Sequence, residues 1–260
     1  MFLDRILEAK RVEVAERQRE IPLETLKRRA GEAPAPRDMV AALRKPGLGV
    51  LAEVKRRSPS RGPLRPDLDA PALARQYEEG GCVAVSVLTE GPHFGARHDD
   101  LPAVRGAVSV PVLRKDFMLS DYQIWEARAM GADAVLLIVA ALHMETLVRL
   151  TGIAERLGMT ALVEVHSAEE VGLALEAGAR LVGINNRDLH SFRVDLAVSQ
   201  QLRPLIPAEV AVVAESGISV PSDAAGLHRL GVDAILVGEA LVTAEDPAAA
   251  VRAMSIGSAG

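Results

Sequence analysis

The sequence predicts a (β/α)8 TIM barrel, an α/β fold, preceded by an N-terminal helical extension. From Val50 onward, short apolar runs alternate with longer amphipathic stretches, which is typical of strands that alternate with helices in a parallel sheet. Eight strand–helix units fit into about 210 residues, a size that suits this barrel. The glycine-rich fingerprint that often marks an open doubly wound sheet does not follow the first strand. A closed barrel is therefore favoured.

The extension is predicted over residues 1–45 and the barrel over residues 46–260, within a single domain. Apolar residues recur at helical spacing over residues 2–19, among mixed Lys, Arg and Glu, so this segment is expected to form a surface-packing helix. Further helical pieces are expected after Pro22 and Arg37. A Lys-Pro-Gly-Leu-Gly run then breaks the helical pattern and marks the entry to the barrel.

Short apolar runs mark the eight strands of the predicted barrel. Several of the helices between them end in a glycine just before the next strand, where glycine can supply a left-handed helix cap. The predicted strands cover residues 50–54, 83–88, 110–114, 134–138, 160–165, 181–184, 210–214 and 234–237.

Charge and cysteine content narrow the class of protein. The formal net charge is −5, with acidic and basic residues interspersed, so the expected partners are small molecules and neither nucleic acid nor membrane. The single cysteine, Cys82, excludes a disulfide within the chain and fits a soluble protein of the reducing cytoplasm. The N-terminus meets charges too early for a signal peptide, and the apolar run 134–142 is far shorter than the ~20 residues of a membrane span.

Charged and amide side chains stand at the carboxyl ends of the predicted strands. Residues two apart on a strand share a face, so Glu53 and Lys55 are expected to point together from the first strand. Active sites of such barrels form where these strand ends meet the following loops. The groups are either mutually paired as an ion-pair plug or held ready for a charged substrate. The converging residues are Glu53, Lys55, Lys115, Glu164, Asn185, Arg187 and Glu215.

Loops on the same rim contain residues suited to an anion. Ser216 and Gly217 follow the seventh strand, and Gly238 with Glu239 can open a short helix after the eighth. Barrels often bind phosphate at these two loops through backbone amides, although ordinary turn glycines give the same pattern. After the first strand, residues 56–65 hold four arginines between Gly and Pro hinges. They are expected to form a mobile cationic lid, with a solvated surface loop as the alternative.

Three expectations concern individual ionisable groups. The histidines show no spacing that would bring three metal ligands together, so no metal is expected. His166, two residues after Glu164, is expected to cap the chain or face solvent, with a place in the lining of the pocket as the alternative. The pKa of Lys115 stays open, because burial would lower it whereas neighbouring carboxylates would raise it.

Six segments carry a resemblance to one enzyme family, in the family's order and at family-like spacing. They are LAEVKRRSPS at 51–60, SVLTE at 86–90, PVLRKDF at 111–117, LVEVH at 162–166, GINNRDL at 183–189 and AESGI at 214–218. On these segments the chain resembles the indole-3-glycerol-phosphate synthase family of tryptophan biosynthesis, and its first helices resemble the family's extra N-terminal segment. The loop at 91–97 departs from the family's usual aromatic-Gln-Gly-Ser pattern, so contacts from that loop are not carried over.

The resemblance implies a carboxy-lyase that closes 1-(2-carboxyphenylamino)-1-deoxy-D-ribulose 5-phosphate to indole-3-glycerol phosphate, with loss of carbon dioxide and water and without a cofactor. By motif, Lys115 would be the general acid that protonates the substrate carbonyl as the aromatic carbon attacks it. Glu164 with Lys55 would serve the later proton transfers. Glu53 and Asn185 would orient hydroxyls and lysines.

The resemblance also implies how substrate is held. Phosphate would lie at the last two loops and the anthranilate carboxylate nearer to the cations of the first loop. Phe117 and Leu136 would pack on the aromatic ring. The implied substrate-binding residues are Ser58, Phe117, Leu136, Arg187, Glu215, Ser216, Gly217, Gly238 and Glu239.

Other functions stay open as alternatives. A phosphate-sugar isomerase of this fold would place a cysteine at the end of the first strand and an aspartate after the sixth, where this chain has Glu53-x-Lys55 and Asn185-Asn186-Arg187. An aldolase would use Lys115 or Lys55 as a Schiff base. A non-catalytic barrel would bind a phosphorylated ligand or dock in a larger biosynthetic assembly. No residue pattern predicts an association with other tryptophan-pathway enzymes.

Overall fold

Eight parallel strands form the centre of the molecule. The computed structural model describes residues 2–59, 61–189 and 191–257, so Ser60 of the predicted lid lies outside the described residues. The strands are β1 Gly49–Val54, β2 Ala84–Leu88, β3 Val112–Lys115, β4 Ala134–Ile138, β5 Thr160–Val165, β6 Leu181–Asn185, β7 Ala211–Glu215 and β8 Ala234–Val237. Each strand pairs in parallel with the next along the chain, and β1 closes the barrel by pairing with both β2 and β8. The predicted barrel is confirmed.

The predicted strands agree with the structure to within two residues at every end. The largest difference is in β3, which begins at Val112 rather than at residue 110. Pro111 precedes it and has no backbone N–H to donate to a neighbouring strand. Because β3 runs on to Lys115, this lysine is held by the sheet itself, with Thr89 N donating to Lys115 O at 3.0 Å.

Helices surround the barrel and fill the segments between its strands. Before β1 lie α1 Phe2–Glu20, α2 Leu23–Glu32 and α3 Met39–Leu43. The remaining helices are α4 Ala70–Glu79, α5 Gly91–Phe94, α6 Asp100–Ala107, α7 Asp121–Ala129, α8 Met144–Arg156, α9 Ala168–Glu176, α10 Ala197–Leu202, α11 Pro221–Arg229, α12 Glu239–Val242 and α13 Pro247–Met254. Single 3-10 turns occupy Val139–Ala141 and Arg203–Leu205.

Side chains alternate along each strand between the barrel interior and the surrounding helices. An apolar layer fills the interior and includes Leu51, Leu113, Leu162 and Val213. Two residues further along the same strands, on the same face, are Glu53, Lys115, Glu164 and Glu215. The apolar layer is therefore the floor on which the charged strand ends stand.

The N-terminal helices pack on the outside of the barrel, mainly against α7. Val14 of α1, Leu26 of α2 and Tyr122 of α7 form a small apolar cluster. The Tyr122 hydroxyl donates to the carbonyl oxygens of Arg17 and Ile21, both at 3.0 Å. These contacts cover the apolar stripe that predicted a surface-packing helix.

The two ends of the described chain lie at opposite ends of the barrel. The segment after α13 returns to the residue before β1, where Leu48 N donates to Ile256 O at 2.7 Å and Ile256 N donates to Leu48 O at 3.2 Å. This pairing lies at the amino end of the strands. The first turns of α1, in contrast, reach the carboxyl end, where Leu3 borders the central cavity.

None of the helices in the described ranges is both long and apolar enough to cross a membrane. Cys82 is buried in the main apolar core, and its thiol is free. Burial raises the pKa of the Cys82 thiol, so the side chain stays protonated and acts as a small apolar residue.

Candidate active site

A cavity of about 550 Å³ opens at the carboxyl ends of the strands. This volume lies within the usual range for a small-molecule site. Of the predicted site residues, all except Glu215 line it: Glu53, Lys55, Ser58, Lys115, Phe117, Leu136, Glu164, Asn185, Arg187, Ser216, Gly217, Gly238 and Glu239. The strand ends that we expected to meet are thus brought together around one space.

Glu53 links the two lysines of the site. Its Oε1 lies 2.6 Å from Lys55 Nζ, and its Oε2 lies 3.9 Å from Lys115 Nζ. A Cβ atom at Gly238 would collide with Glu53 Oε1, so the end of β8 leaves room for this carboxylate. Burial would raise the pKa of Glu53, but Lys55 and then Lys115 hold it below its usual value. Glu53 is therefore an ionised bridge between the lysines.

Lys115 stands among three carboxylates. Its Nζ lies 2.6 Å from Glu215 Oε2, 3.9 Å from Glu53 Oε2 and 4.0 Å from Glu164 Oε2. Burial would lower the pKa of Lys115, but Glu215, Glu53 and Glu164 together raise it well above its ordinary value. The carboxylates outweigh burial, so Lys115 carries its proton at neutral pH.

Glu215 lies beneath the cavity wall instead of lining it. The residue is 0% exposed, and its Oε2 accepts from Lys115 Nζ at 2.6 Å. Burial raises the pKa of Glu215 to about 7, with Lys115 opposing the shift and Glu164 adding to it. Gly183 on the neighbouring strand makes room for this carboxylate, because a Cβ there would collide with Glu215 Oε1. Glu215 therefore influences the site through its contact with Lys115.

Glu164 is held by groups on two strands. Asn185 Nδ2 donates to Glu164 Oε1 at 3.0 Å, and His166 Nε2 lies 3.3 Å from the same oxygen. Burial would raise the pKa of Glu164, but His166 and then Lys115 lower it to about 2. We expected His166 to cap the chain or face solvent: its backbone N–H does join the cap of α9 by donating to Glu170 Oε2 at 2.7 Å, but its side chain does not face solvent, because it is only 15% exposed and lies against Glu164.

The loops after β7 and β8 border one end of the cavity. Ser216 has a φ of 65°, a conformation that L-residues seldom adopt, and Gly217 follows with a φ of 78°. Gly238 and Glu239 border the same end. The Glu239 carboxylate is taken by Arg61, whose Nε lies 3.0 Å from Oε1. Only the backbone of Glu239 is thus suited to an anion.

The loop after β1 is less cationic towards the cavity than its four arginines predict. Arg56 is buried and points away from the cavity, with Nη2 donating to Asp100 Oδ1 at 2.8 Å. Residues Arg57–Ser58 and Gly62–Pro63 form a small antiparallel hairpin. Within the described part of this loop, the side chains that border the cavity belong to Lys55, Ser58, Pro59 and Arg61. Arg56 therefore anchors the loop to the barrel.

Apolar side chains line the wall opposite the loops that follow β7 and β8. Phe117 follows β3, Leu136 lies on β4, and both pack with the apolar layer of the barrel interior. Leu189 of the loop after β6 packs on the same layer and also lines the cavity. The cavity thus combines a polar end, an apolar wall and a floor of paired charges.

Comparison with known proteins identifies the family. The family model for indole-3-glycerol phosphate synthase matches residues 3–254. The chain belongs to this family. The Mycobacteroides abscessus protein named indole-3-glycerol phosphate synthase is 53% identical over 249 residues, which cover 96% of this chain and 92% of the relative. The Streptomyces griseus protein of the same name is 50% identical over 249 residues, with 96% and 93% covered.

Solved structures of lower identity share the fold. A thiamine phosphate pyrophosphorylase from Pyrococcus furiosus aligns with a TM-score of 0.61 and 21% identity, covering 80% of this chain and 93% of that one. A 3-hexulose-6-phosphate synthase from Salmonella typhimurium aligns with a TM-score of 0.62 and 16% identity, covering 80% and 96%. At this identity the likeness supports the barrel alone.

All six segments by which the chain resembles the synthase family reach the cavity. The departing loop at 91–97 reaches it too, through Phe94 of α5. Glu90 caps this short helix by accepting from His93 N at 2.7 Å and Phe94 N at 3.1 Å. The unusual loop therefore contributes an aromatic ring to the site, which the sequence did not predict.

Several of the further lining residues were missed because they are apolar and carry no chemical signature. Leu88 and Ile138 end their strands on the inward face, so strand alternation alone would have found them. Leu3 and Ile6 come from α1, and only the docking of that helix brings them to the cavity. Across residues 2–59, 61–189 and 191–257, no three His, Cys, Asp or Glu side chains are grouped so that they could hold a metal ion.

Proposed function

We propose that this protein catalyses the closure of 1-(2-carboxyphenylamino)-1-deoxy-D-ribulose 5-phosphate to indole-3-glycerol phosphate, as a carboxy-lyase of tryptophan biosynthesis. Family membership supports the reaction. The observation that carries the proposal is Lys115, a protonated lysine at the floor of the cavity within 4.0 Å of three carboxylates. Such a group can donate a proton to a bound carbonyl and then be reprotonated by way of its neighbours.

In the first step the ring carbon that bears the carboxylate attacks the ketose carbonyl. A carbon–carbon bond forms, and the carbonyl π pair moves to oxygen. Lys115 polarises this oxygen and donates its proton as the oxygen becomes an alkoxide, giving a tertiary alcohol. The high pKa of Lys115 does not prevent the transfer, because an alkoxide is a stronger base than an amine.

The second step is loss of carbon dioxide. The bond between the ring and the carboxylate breaks, and its electron pair restores the aromatic ring. The apolar wall formed by Phe117, Leu136 and Leu189 is suited to holding the ring, and apolar surroundings favour the conversion of a carboxylate into neutral carbon dioxide.

The third step is dehydration. Glu164 takes a proton from the methylene carbon beside the ring nitrogen, the hydroxyl leaves with a proton supplied by Lys55, and the double bond of the indole forms. Two protons are donated and one is accepted over the three steps, so one proton is taken up overall as the carboxylate departs as neutral carbon dioxide. Glu53 and Asn185 orient Lys55 and Glu164, with which they are paired.

The phosphate of the substrate fits the polar end of the site. The phosphate is assigned to the backbone of Ser216, Gly217, Gly238 and Glu239, all of which line one end. Arg187 and Ser58 line the same cavity and are assigned to substrate binding. No nucleic-acid partner is part of the proposal.

Residues 1–45 are proposed to be an extension of the single barrel domain, because Leu3 and Ile6 line its cavity. A cytoplasmic location is also proposed. Cys82, the single cysteine of the sequence, is a buried free thiol, which suits a reducing compartment.

The test is fluorescence detection of indole-3-glycerol phosphate from the carboxyphenylamino substrate. The wild-type protein should form the product, and Lys115→Met should lower kcat by about 10²- to 10⁴-fold with an unchanged circular-dichroism spectrum. Lys45→Met is the matched control, because Lys45 is exposed in the loop before β1 and should leave kcat unchanged. A Lys115→Met protein that keeps most of its activity would contradict the role of Lys115.

Borohydride trapping separates this reaction from the aldolase alternative. A Schiff base requires a neutral amine, and the carboxylates around Lys115 favour the charged form. Reduction during turnover should therefore leave every lysine unmodified in the mass spectrum. A substrate adduct on Lys115 or Lys55 would favour the aldolase chemistry.

A further inference from the structure

His166 lies directly behind Glu164, outside the set of described residues that line the cavity. It follows β5 and precedes α9, so it is placed by the end of a strand and the start of a helix. Its side chain is 15% exposed, and that of Glu164 is 3% exposed. A charged group this close to a buried carboxylate can set the protonation state of that carboxylate.

The imidazole of His166 lies between two carboxylates. Nε2 is 3.3 Å from Glu164 Oε1, an ion-pair distance whose alignment falls short of a hydrogen bond. Nδ1 is 3.2 Å from Oε2 of Glu170, which lies in the first turn of α9. The backbone N–H of His166 also donates to Glu170 Oε2, at 2.7 Å. The ring is thus fixed from the outside by Glu170 and presented to Glu164 on the inside.

The two oxygens of Glu164 have different surroundings. Oε1 faces both His166 Nε2 and the Asn185 amide, which donates to it at 3.0 Å. Oε2 lies 4.0 Å from Lys115 Nζ, too far for a direct hydrogen bond. Oε1 is therefore restrained by its neighbours, whereas Oε2 faces the lysine.

From this arrangement we infer that His166 is a positioning residue of the proposed reaction, which acts as an imidazolium that keeps Glu164 ionised and leaves its Oε2 for proton transfer. The inference rests on the proposed function, since it assigns a role within that reaction. It adds a residue to the predicted catalytic set and accounts for a histidine that the cavity itself does not contact.

The charges around the pair support an imidazolium. Burial would lower the pKa of His166, but Glu164 and Glu170 raise it to about 10. On its other side Glu164 is faced by Lys115 of β3, and Glu53 and Glu215 crowd the same lysine. A third carboxylate beside one lysine would tend to take up a proton, and a cation behind Glu164 opposes that tendency.

A structural interpretation of His166 makes a different prediction. Glu170 caps the start of α9 through the His166 backbone, and Ser167 Oγ accepts from Glu170 N at 3.2 Å. If the ring only packs beside this cap, its loss should lower the melting temperature without altering catalysis. Stability and catalysis must therefore be measured separately.

The first experiment is a pH titration of the histidine side chains by nuclear magnetic resonance, with the His166 signal assigned from its absence in His166→Gln. We expect His166 to stay doubly protonated through neutral pH, with a midpoint well above 6.5, and expect Glu164→Gln to move that midpoint down by about one to three units. A wild-type midpoint at or below 6.5, or no shift in Glu164→Gln, would overturn the inference. This measurement does not depend on any activity.

The second experiment compares the kinetics of His166→Gln with those of wild type. Glutamine keeps a hydrogen-bond donor but carries no charge, so we expect kcat to fall about 10- to 100-fold while KM changes by less than about threefold. His143→Gln, an exposed histidine on the same end of the barrel, is the matched control and should retain wild-type kcat. A His166→Gln protein with wild-type kcat would refute the positioning role, even if it melts at a lower temperature.

A third variant covers the case in which His166→Gln does not fold. Glu170→Gln keeps an oxygen for the backbone cap and removes only the charge that faces His166 Nδ1. The His166 midpoint should fall and kcat should fall with it, less than in His166→Gln. An unchanged midpoint would count against the inference. If wild type forms no indole product, the proposed function fails, whereas the titration still reports on the His166–Glu164 contact.

Discussion

Two clusters of charge lie on opposite sides of β3, and they are built differently. Successive side chains on a strand point to opposite faces, so Lys115 enters the barrel while Arg114 and Asp116 point towards the helices. On the inner side is the floor cluster, formed by Glu53, Lys55, Lys115, Glu164 and Glu215. On the outer side is the rear network, formed by Lys10, Glu13, Arg17, Arg114, Asp116 and Glu126.

The rear network is balanced, with three cations and three carboxylates. Asp116 lies 3.0 Å from Lys10 Nζ and 3.2 Å from Arg114 Nη2. Arg114 Nη2 also lies 2.7 Å from Glu126 Oε2. Burial would raise the pKa of Asp116, but Arg114 and then Lys10 hold it below its usual value. Every charge here has an opposite charge beside it, and the network joins α1 and α7 to β3.

The floor cluster has three carboxylates for two lysines. Glu215, Glu53 and Glu164 raise the pKa of Lys115, and burial together with the nearby Glu164 raises that of Glu215. One wall of this cluster is the cavity, where a substrate can replace one of the neighbours. The comparison shows that buried charge by itself does not mark an active site. Buried ionisable groups with shifted pKa values beside an open space are the better sign.

The largest expected effect on stability is in the rear network. Asp116→Asn leaves Lys10 and Arg114 without their shared carboxylate, so the free energy of unfolding should fall by about 3 to 5 kcal/mol. Urea denaturation followed by circular dichroism measures it. The control is Asp121→Asn, whose 2.8 Å contact with Arg149 is exposed and should contribute less than about 1 kcal/mol. Equal losses in the two variants would remove the distinction between buried and exposed pairs.

The contribution of the floor cluster to stability should instead depend on pH. Since the pKa of Glu215 is raised to about 7 from 4.5, the folded protein binds this proton more tightly than the unfolded chain does between those values. Stability should therefore fall as pH rises through this window. Glu215→Gln has no such proton. Relative to this variant, the free energy of unfolding of wild type should fall by about 1 to 3 kcal/mol between about pH 5 and 8.

Urea denaturation of both proteins across that pH range checks the effect. The raised pKa of His166 adds a loss of stability from about pH 6.5 to pH 10, but it does so in both proteins and leaves the difference unchanged. If the difference in free energy of unfolding between wild type and Glu215→Gln does not vary with pH, Glu215 is ionised throughout. The floor cluster would then be as fully paired as the rear network.

The smallest effect is expected at the rim. Arg61 and Glu239 form an ion pair at 3.0 Å, with side-chain exposures of 70% and 31%. Arg61→Gln should lower the free energy of unfolding by less than about 1 kcal/mol, because water and salt screen such a pair. A double-mutant cycle with Glu239→Gln measures the coupling. A coupling energy as large as the loss in Asp116→Asn would show that exposure does not separate rim pairs from buried ones.

The strand ends were predictable because the signal is local. Alternation along β1 placed Glu53 and Lys55 on one face, and an apolar run that ends in a lysine placed Lys115 at the end of β3. Parallel strands of one barrel must end on one rim, so the convergence of these residues followed from the fold. Thirteen of the fourteen predicted site residues line the cavity for this reason.

The remaining features depend on contacts between distant parts of the chain. Lys10 and Asp116 are paired only because α1 docks on the barrel beside β3. Glu215 lies below the cavity instead of lining it because Gly183, on a neighbouring strand, leaves room there. The side-chain contacts of His166 were not predicted, because its partner Glu170 follows the start of α9 and the contact depends on how that helix leaves the strand.

The opposite placement of the two described chain ends has a practical consequence for work with the recombinant enzyme. Residues joined ahead of Leu3 would emerge beside the cavity mouth, whereas residues joined after Ile256 would emerge at the far end of the barrel. An affinity tag or a surface-immobilisation handle is therefore better carried at the C-terminal side, where it leaves the substrate entrance clear.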